Sequence, residues 1–151
     1  MCSSDLKLQL IKHLEIIKNS YSELVGEPMP LNESLNLIEA FDDCIYPIAS
    51  HDNSPEPLFN YANKAALKLF KMTLHDMIGM PSKASALSVN QHERSLFLKQ
   101  VSMTGFIKHY QGQRVASDHS TFHIQDATVW NLINQDKKFY GQAVIIFKVL
   151  F

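Results

Sequence analysis

The sequence has 151 residues, of which 46% are hydrophobic and 19% charged, and its 14 Lys and Arg nearly balance 15 Asp and Glu. A chain of this length and composition is expected to fold as one domain that buries roughly two thirds of its unfolded surface. Because neither sign of charge forms a run, nothing favours binding to nucleic acid or to anionic lipid. The longest apolar stretch, Ala143 to Phe147, is far shorter than the ~20 residues of a membrane helix. We therefore expect a cytoplasmic protein that binds neither nucleic acid nor membrane.

The N-terminal segment predicts an amphipathic helix. Apolar residues recur there at intervals of four, three, four and three positions: Leu10, Leu14, Ile17, Tyr21 and Leu24. This spacing places them on one helical face. The pattern covers fewer than three heptads, which favours docking on the rest of the chain over a free coiled coil. A second short helix is predicted between Leu31 and Phe41. Residues 1–42 are thus predicted to form a helical cap, and residues 43–151 the main domain.

The main domain begins with a predicted strand, turn and strand between Cys44 and Tyr61. A helix with Asn63 as its N-cap follows, and then two more short helices, of which the last ends at Gly105. Three longer strands complete the chain: Phe106 to Ala116, Thr121 to Ile133 and Phe139 to Phe151. This order predicts an α+β domain with a five-stranded antiparallel sheet, short central helices and the N-terminal helical cap.

The last strand carries apolar residues on both of its faces, so both faces of the sheet need a cover. The central helices can cover one face. The N-terminal helix, from the same chain or from a partner subunit, can cover the other. We therefore expect a homodimer that forms through this helix or through the outer face of the sheet.

Several segments resemble the MEKHLA domain family: LFNYANKAALKLF at 58–70, IGMPSKASA at 78–86 and FHIQDATVWNLIN at 122–134. The similarity runs from about His13 to Phe147. The family has stand-alone bacterial members and also forms the C-terminal segment of plant class III homeodomain-leucine zipper factors. It is regarded as PAS-like, and no enzymatic activity is established for it. The resemblance implies a PAS-like fold and a role in sensing a small molecule or redox state, or in partner contacts.

A PAS-like sheet encloses a cavity between its inner face and the short helices, and the resemblance implies which residues face inward. These are Tyr110, Gly112, Arg114, Phe122, Ile124, Asp126, Thr128, Trp130, Gly141, Ala143 and Ile145. The candidate ligand-binding residues among them are Tyr110, Arg114, Asp126, Thr128, Trp130, Gly141 and Ala143. Two interpretations of Arg114 stay open. It forms an internal ion pair with Asp126, or it binds a carboxylate or phosphate of a ligand while Trp130 forms an apolar wall.

The sequence does not identify a cofactor. Light-sensing flavin relatives need a reactive cysteine just after the second short helix, and Gly79 to Ala84 has none. Flavin binding without a photo-adduct stays open. Haem is not expected, because His92 opens its helix beside charged residues. A metal is not expected either, since His119 and His123 on a strand would lie ~13 Å apart. The two cysteines, Cys2 and Cys44, suggest neither a disulfide nor a zinc site.

The sequence contains no nucleophile elbow and no glycine-rich nucleotide-binding motif. The leading hypothesis is a non-catalytic PAS-like module that senses or binds a small molecule. The alternative is a protein-interaction or dimerisation module whose core is filled by its own side chains. A third hypothesis is a small acid-base enzyme that uses Asp126 as its general base.

Overall fold

The computed structural model describes residues 3–151, with side chains from residue 5 onward. Cys2 therefore lies outside the described residues. The helices are α1 (Ser3–Val25), α2 (Leu37–Asp43), α3 (Lys64–Phe70), α4 (Leu74–Met77) and α5 (Ser88–Thr104), and Ser82–Ser85 forms a 3-10 turn. The strands are β1 (Ile48–Asp52), β2 (Phe59–Ala62), β3 (Phe106–Ile107), β4 (Gly112–Val115), β5 (Thr121–Ile133) and β6 (Phe139–Leu150). The predicted α+β class and element order are confirmed.

All strands form one antiparallel sheet in the order β2-β1-β6-β5, with β3 and β4 both paired to the far edge of β5. The third of the five predicted strands is thus split into two short pieces, which makes six strands. The reason lies between the pieces, where His109 has a φ of 60°. This left-handed conformation is incompatible with a continuous strand.

Asn63 caps α3 as predicted and also ties three segments together. Its Oδ1 accepts hydrogen bonds from the backbone N–H groups of Ala66 at 3.0 Å and Ile48 at 2.9 Å. Its Nδ2 donates to the carbonyl oxygens of Phe41 at 2.9 Å and Tyr46 at 3.0 Å. The side chain is fully buried, so these four hydrogen bonds fix α3, β1 and the end of α2 relative to one another.

Two predicted boundaries are wrong near α2. This helix begins at Leu37, because Asn36 caps it by accepting a hydrogen bond from the Glu39 N–H. Cys44 lies at the C-terminal end of α2 and not on the first strand. Strand β1 begins only at Ile48, since Pro47 has no N–H group for a strand ladder.

Helix α1 packs on the outer face of the sheet of its own chain. A buried cluster joins Leu14, Ile17 and Tyr21 of α1 to Trp130 of β5 and Ile145 of β6. The rings of Tyr21 and Trp130 meet edge to face at 4.8 Å between centroids. The cap therefore buries apolar surface against the sheet, as its broad apolar face predicts. The division at residue 42 stays a prediction.

The inner face of the sheet carries a second buried cluster. Phe70 of α3 and Met77 at the end of α4 pack there against Phe122, Ala127 and Ile146. Both faces of the sheet are therefore covered by helices. Among residues 3–151, no helix is both long enough and apolar enough to cross a bilayer.

Candidate functional site

A cavity of about 60 Å³ lies between the inner face of the sheet and α5. Apolar side chains form most of its wall, including Ala49, Phe97 and Val144. The polar residues that border it are Ser50, His51, Ser85, Arg94, Tyr110, Arg114 and Gln142. The cavity thus has the usual composition of a small-molecule site, with an apolar wall and a few convergent polar groups.

Arg114 on β4 is almost fully buried at this cavity, with 8% of its surface exposed. Its Nη1 donates to the carbonyl oxygen of Gln113 at 2.8 Å, and its Nη2 donates to the Tyr110 hydroxyl at 2.6 Å. Its guanidinium carbon lies 5.3 Å from the centroid of the Tyr110 ring. These contacts fix the guanidinium, but none of them neutralises its charge.

Arg94 reaches the same cavity from α5. Its Nη2 donates to the Ser82 hydroxyl at 2.8 Å. Burial, and secondly the charge of Arg114, lower the pKa of Arg94 to about 10. Neither arginine lies within 4.0 Å of a carboxylate in the part of the chain that the structure describes. Two cationic groups therefore face one cavity without an acidic partner, which is costly unless an anion compensates them.

His51 on β1 is the third basic group of the site. Its Nδ1 donates to the carbonyl oxygen of Asp52 at 2.8 Å, because a carbonyl can only accept. The Nε2 atom of the neutral ring therefore carries a lone pair. This atom is buried and has no hydrogen-bond partner among the described residues. Burial lowers the pKa of His51, and the charge of Arg94 lowers it further against the opposing effect of the Asp52 carbonyl.

Helix α5 is held over the cavity by Gln142 of β6. The Gln142 Nε2 donates to the carbonyl oxygen of Leu98 at 3.0 Å and to Oδ1 of Asn131 at 3.2 Å. A groove of about 290 Å³ runs between α5 and β4 on the surface of the protein. Arg94, Phe97, Tyr110 and Arg114 border both the groove and the cavity. These four side chains therefore separate the cavity from solvent.

The predicted inward direction is right for Phe122 and Ile124 but wrong for Thr128 and Trp130. The register between β5 and β6 shifts on both sides of Asp126, and this irregularity reverses the alternation of the strand. Beyond it, Ala127 and Val129 face inward, while Trp130 packs against α1. The Trp130 Nε1 donates to the carbonyl oxygen of Ile17 at 3.2 Å. Trp130 is therefore part of the α1 contact and not a ligand wall.

The predicted inward direction is also wrong on β6. Thr128 pairs with Ile145, and Trp130 pairs with Ala143, so all four residues share the α1 side of the sheet. Ala143 and Ile145 belong to the α1 cluster, although Ala143 also borders the cavity. Gly141 does not line the cavity. A Cβ at this position would overlap the carbonyl oxygen of His51, so the glycine allows β1 to approach β6.

Of the two interpretations of Arg114, the ion pair with Asp126 is wrong, because the structure does not form it. The shifted register leaves Asp126 on the surface, where its Oδ1 lies 3.1 Å from His109 Nδ1 and 37% of its side chain is exposed. An acid-base enzyme that uses Asp126 inside the cavity has no support from this position. Of the seven candidate ligand-binding residues, the cavity is bordered by Tyr110, Arg114 and Ala143, and not by Asp126, Thr128, Trp130 or Gly141.

The sequence analysis missed His51, Arg94 and Gln142. Arg94 lies three and four residues before Phe97 and Leu98, which places it on the same face of α5 as these cavity residues. His51 lies two residues after Ala49 on a short strand, so the two side chains point to the same face of the sheet. Both signals are present in the sequence. They are weak signals, because Arg94 has polar neighbours and a turn follows His51.

The cavity does not fit a flavin. Its volume of about 60 Å³ is well below the roughly 300–1,000 Å³ of pockets that enclose larger ligands. His92, the residue considered for haem, is exposed on α5. Within residues 3–151, no cluster of three or more His, Cys, Asp or Glu side chains has a geometry that could hold a metal ion. The only cysteine in the described part, Cys44, is buried at the end of α2.

Known structures with the same fold include PAS and light-oxygen-voltage domains. The PAS domain of a protein from Colwellia psychrerythraea is 17% identical with a TM-score of 0.64, and the match covers 74% of this chain and 92% of that one. A light-oxygen-voltage domain studied with a flavin analogue is 15% identical with a TM-score of 0.61, covering 76% and 84%. An RNA-binding light-oxygen-voltage receptor is 16% identical with a TM-score of 0.66, covering 81% of this chain and 36% of the receptor.

These identities show the fold alone, which is PAS-like as the resemblance implied. No curated protein matches the sequence significantly. The model of the MEKHLA domain, however, matches residues 11–151, which include most of α1, all of α2 and every strand of the sheet. The chain therefore belongs to the MEKHLA domain family.

Proposed function

We propose that this chain is a non-catalytic sensory module that binds a small molecule in the cavity under α5. The observation that carries the proposal is the cavity itself, where the buried Nε2 of His51 has no hydrogen-bond partner and Arg94 and Arg114 add two cationic groups without a carboxylate partner. Buried polar groups are normally satisfied by the protein or by a ligand. The PAS-like fold supports a sensory role, because the similar structures include light-oxygen-voltage domains.

The arrangement of β1 offers a way for the ligand to affect α1. Both His51 and the preceding residue, Ser50, border the cavity, but the Ser50 hydroxyl points to the other side of the sheet. There, the Ser50 hydroxyl lies 2.9 Å from Nε2 of His13 on α1. A movement of β1 on ligand binding would therefore act directly on the docking of α1.

A second candidate function is an interaction module with a filled core, and the small volume of the cavity favours it. The substitution Ala49→Leu distinguishes the two functions, because Ala49 borders the cavity and is buried. Ala127→Leu is the matched control, since Ala127 lies on the same sheet face but does not border the cavity. In a ligand-binding module, Ala49→Leu removes a co-purifying mass seen by native mass spectrometry, and Ala127→Leu retains it.

In an interaction module, no small mass accompanies the wild-type protein. Both substitutions then overpack the core and lower stability by about 1–3 kcal/mol. A wild-type protein without any bound small molecule, together with two equally destabilised variants, would refute the proposed function.

We also propose a cytoplasmic homodimer. Since α1 covers the outer sheet face, the dimer contact would lie at the N-terminal end of α1, where Leu6 and Leu8 are each about half exposed. Light scattering of the purified protein measures this directly. A monomer at all concentrations would exclude the dimer and leave the ligand-binding proposal intact.

A further inference from the structure

We propose that the cavity binds a small oxyanion that carries its own hydroxyl group, the chemistry of a 2-hydroxycarboxylate or of hydrogen phosphate. Arg94 and Arg114 would bind the oxyanion, and Nε2 of His51 would accept a hydrogen bond from the hydroxyl. This inference rests on the proposed function and specifies the class of ligand.

The two arginines supply the anion-binding donors. A guanidinium has five N–H groups. Arg114 uses two of them, on Gln113 and Tyr110, and Arg94 uses one, on Ser82. Across the described residues, this leaves three N–H groups of Arg114 and four of Arg94 without a protein acceptor. Arginine often forms two parallel hydrogen bonds with one carboxylate or phosphate. An oxyanion between the two guanidinium groups would therefore accept hydrogen bonds from several of these donors and offset their positive charge.

His51 sets the second requirement. With its Nδ1 proton committed to the Asp52 carbonyl, Nε2 is an acceptor that needs a donor. A simple carboxylate has only acceptors and would face this lone pair, whereas a ligand hydroxyl would donate to it. The charged groups near His51 are Arg94 on α5 and Asp52 beside it on β1. The other titratable or charged residues here are Tyr110 and Arg114, which border the cavity, and the exposed Glu93, which borders the adjoining groove. Glu93 forms no ion pair with either arginine.

The size of the cavity limits the ligand to a few heavy atoms. A cavity needs about 10–15 Å³ to hold one water molecule. The cavity of about 60 Å³ therefore holds roughly four to six water molecules, or a ligand with about as many heavy atoms. Glycolate and phosphate each have five heavy atoms. The groove of about 290 Å³ that shares Arg94 and Arg114 with the cavity provides the route from solvent.

The test is isothermal titration calorimetry of the whole chain with glycolate, acetate and inorganic phosphate at pH 7.5. Glycolate and acetate form a matched pair that differs by the hydroxyl. We expect glycolate to bind at least about tenfold more tightly, because a site with an unpaired buried acceptor discriminates strongly against a ligand that lacks the donor. The comparison of glycolate with phosphate shows which of the two sources of this chemistry the site prefers.

The pH dependence gives an independent readout. Acetate can bind well only when His51 takes up a proton at Nε2. Because the pKa of His51 lies below its ordinary value of 6.5, the affinity for acetate should rise as the pH falls below 6.5. The affinity for glycolate, which uses the neutral ring, should change less. Equal affinities for glycolate and acetate at every pH would overturn the role of His51.

The role of the arginines is tested by Arg94→Gln, with Lys99→Gln as the control. Lys99 lies on the exposed side of the same helix, so both variants lose one positive charge from α5. Glycolate affinity should fall at least tenfold in Arg94→Gln and stay unchanged in Lys99→Gln. Equal losses in both variants would overturn the inference, since they would indicate only long-range electrostatics.

Failure of the inference and failure of the proposed function are distinguishable. If no oxyanion binds but a neutral small molecule co-purifies and is lost in Ala49→Leu, the oxyanion inference is wrong and the sensory function stands. If no oxyanion binds and no small molecule accompanies the protein, both are wrong. The comparison of glycolate with acetate uses wild-type protein, so it decides the matter even where a variant fails to fold.

Discussion

Acidification should destabilise this protein through His13, a buried histidine between α1 and the sheet. Its Nε2 lies 2.9 Å from the Ser50 hydroxyl, and its Nδ1 lies 3.1 Å from the Tyr140 hydroxyl. Only 9% of the residue is exposed, and burial lowers its pKa from 6.5 to about 4. The folded protein therefore holds His13 neutral over a range of pH in which the unfolded chain binds a proton.

The sign and the size of the effect follow from this difference. Because the folded pKa is the lower one, the stabilisation is complete above pH 6.5 and is lost as the pH falls from 6.5 towards 4. At 1.36 kcal/mol per pKa unit, the full difference corresponds to about 3 kcal/mol. Of this, roughly 2.5 kcal/mol should be lost by pH 4.5. Such a loss is a large fraction of the stability of an ordinary domain.

The assay is urea unfolding of wild type and His13→Gln at pH 7.5 and pH 4.5. Trp130 is the only tryptophan of the chain and packs against α1, so its fluorescence reports the relevant contact. Between the two pH values, wild type should lose about 2–3 kcal/mol more than His13→Gln. The exposed His92 provides the control variant, His92→Gln, which should behave like wild type. If wild type and His13→Gln lose stability in parallel, the buried neutral state of His13 is refuted.

Three further substitutions test the fold. Asn63→Ala should lower the free energy of unfolding by more than about 3 kcal/mol, because it removes a helix cap and leaves three other buried backbone groups unpaired. Asn36→Ala, which removes only the exposed cap of α2, should cost about 1 kcal/mol in the same urea titration; equal costs would contradict the reasoning. Trp130→Phe should lower stability by about 1–2 kcal/mol through the lost indole hydrogen bond and leave the co-purifying mass unchanged. A lost mass would place Trp130 in the ligand site after all.

The order of elements was predictable because local signals and tertiary structure agree. The period of the apolar residues in α1, the cap at Asn63 and the glycine at the end of α5 each specify local backbone geometry. The break between β3 and β4 had no such signal. His109 adopts its left-handed conformation without being a glycine, so the sequence reads as one continuous strand.

The candidate site was harder to predict, since it depends on which residues of the long strands β5 and β6 point to each face of the sheet. The prediction placed Trp130 and Ala143 on the same face of the sheet, and the two residues do pair across β5 and β6. One irregularity near Asp126 then exchanged the two faces for every later residue. No single residue type marks such an irregularity in an antiparallel pair. Arg114 and Tyr110 precede β5 in the chain, and their inward direction was therefore unaffected.

The irregularity in β5 also explains how the two halves of this strand pack against different helices. Near its start, β5 turns Phe122 and Ile124 towards the inner helices, and near its end it turns Trp130 and Leu132 towards α1. Without the shift, the indole of Trp130 would fill the space under α5 that the cavity occupies, and α1 would lose its main contact. The same change of parity thus opens the basic cavity and builds the docking surface of the cap. The cavity and the cap therefore lie on opposite faces of one sheet, which is the arrangement that the proposed action of a ligand on α1 requires.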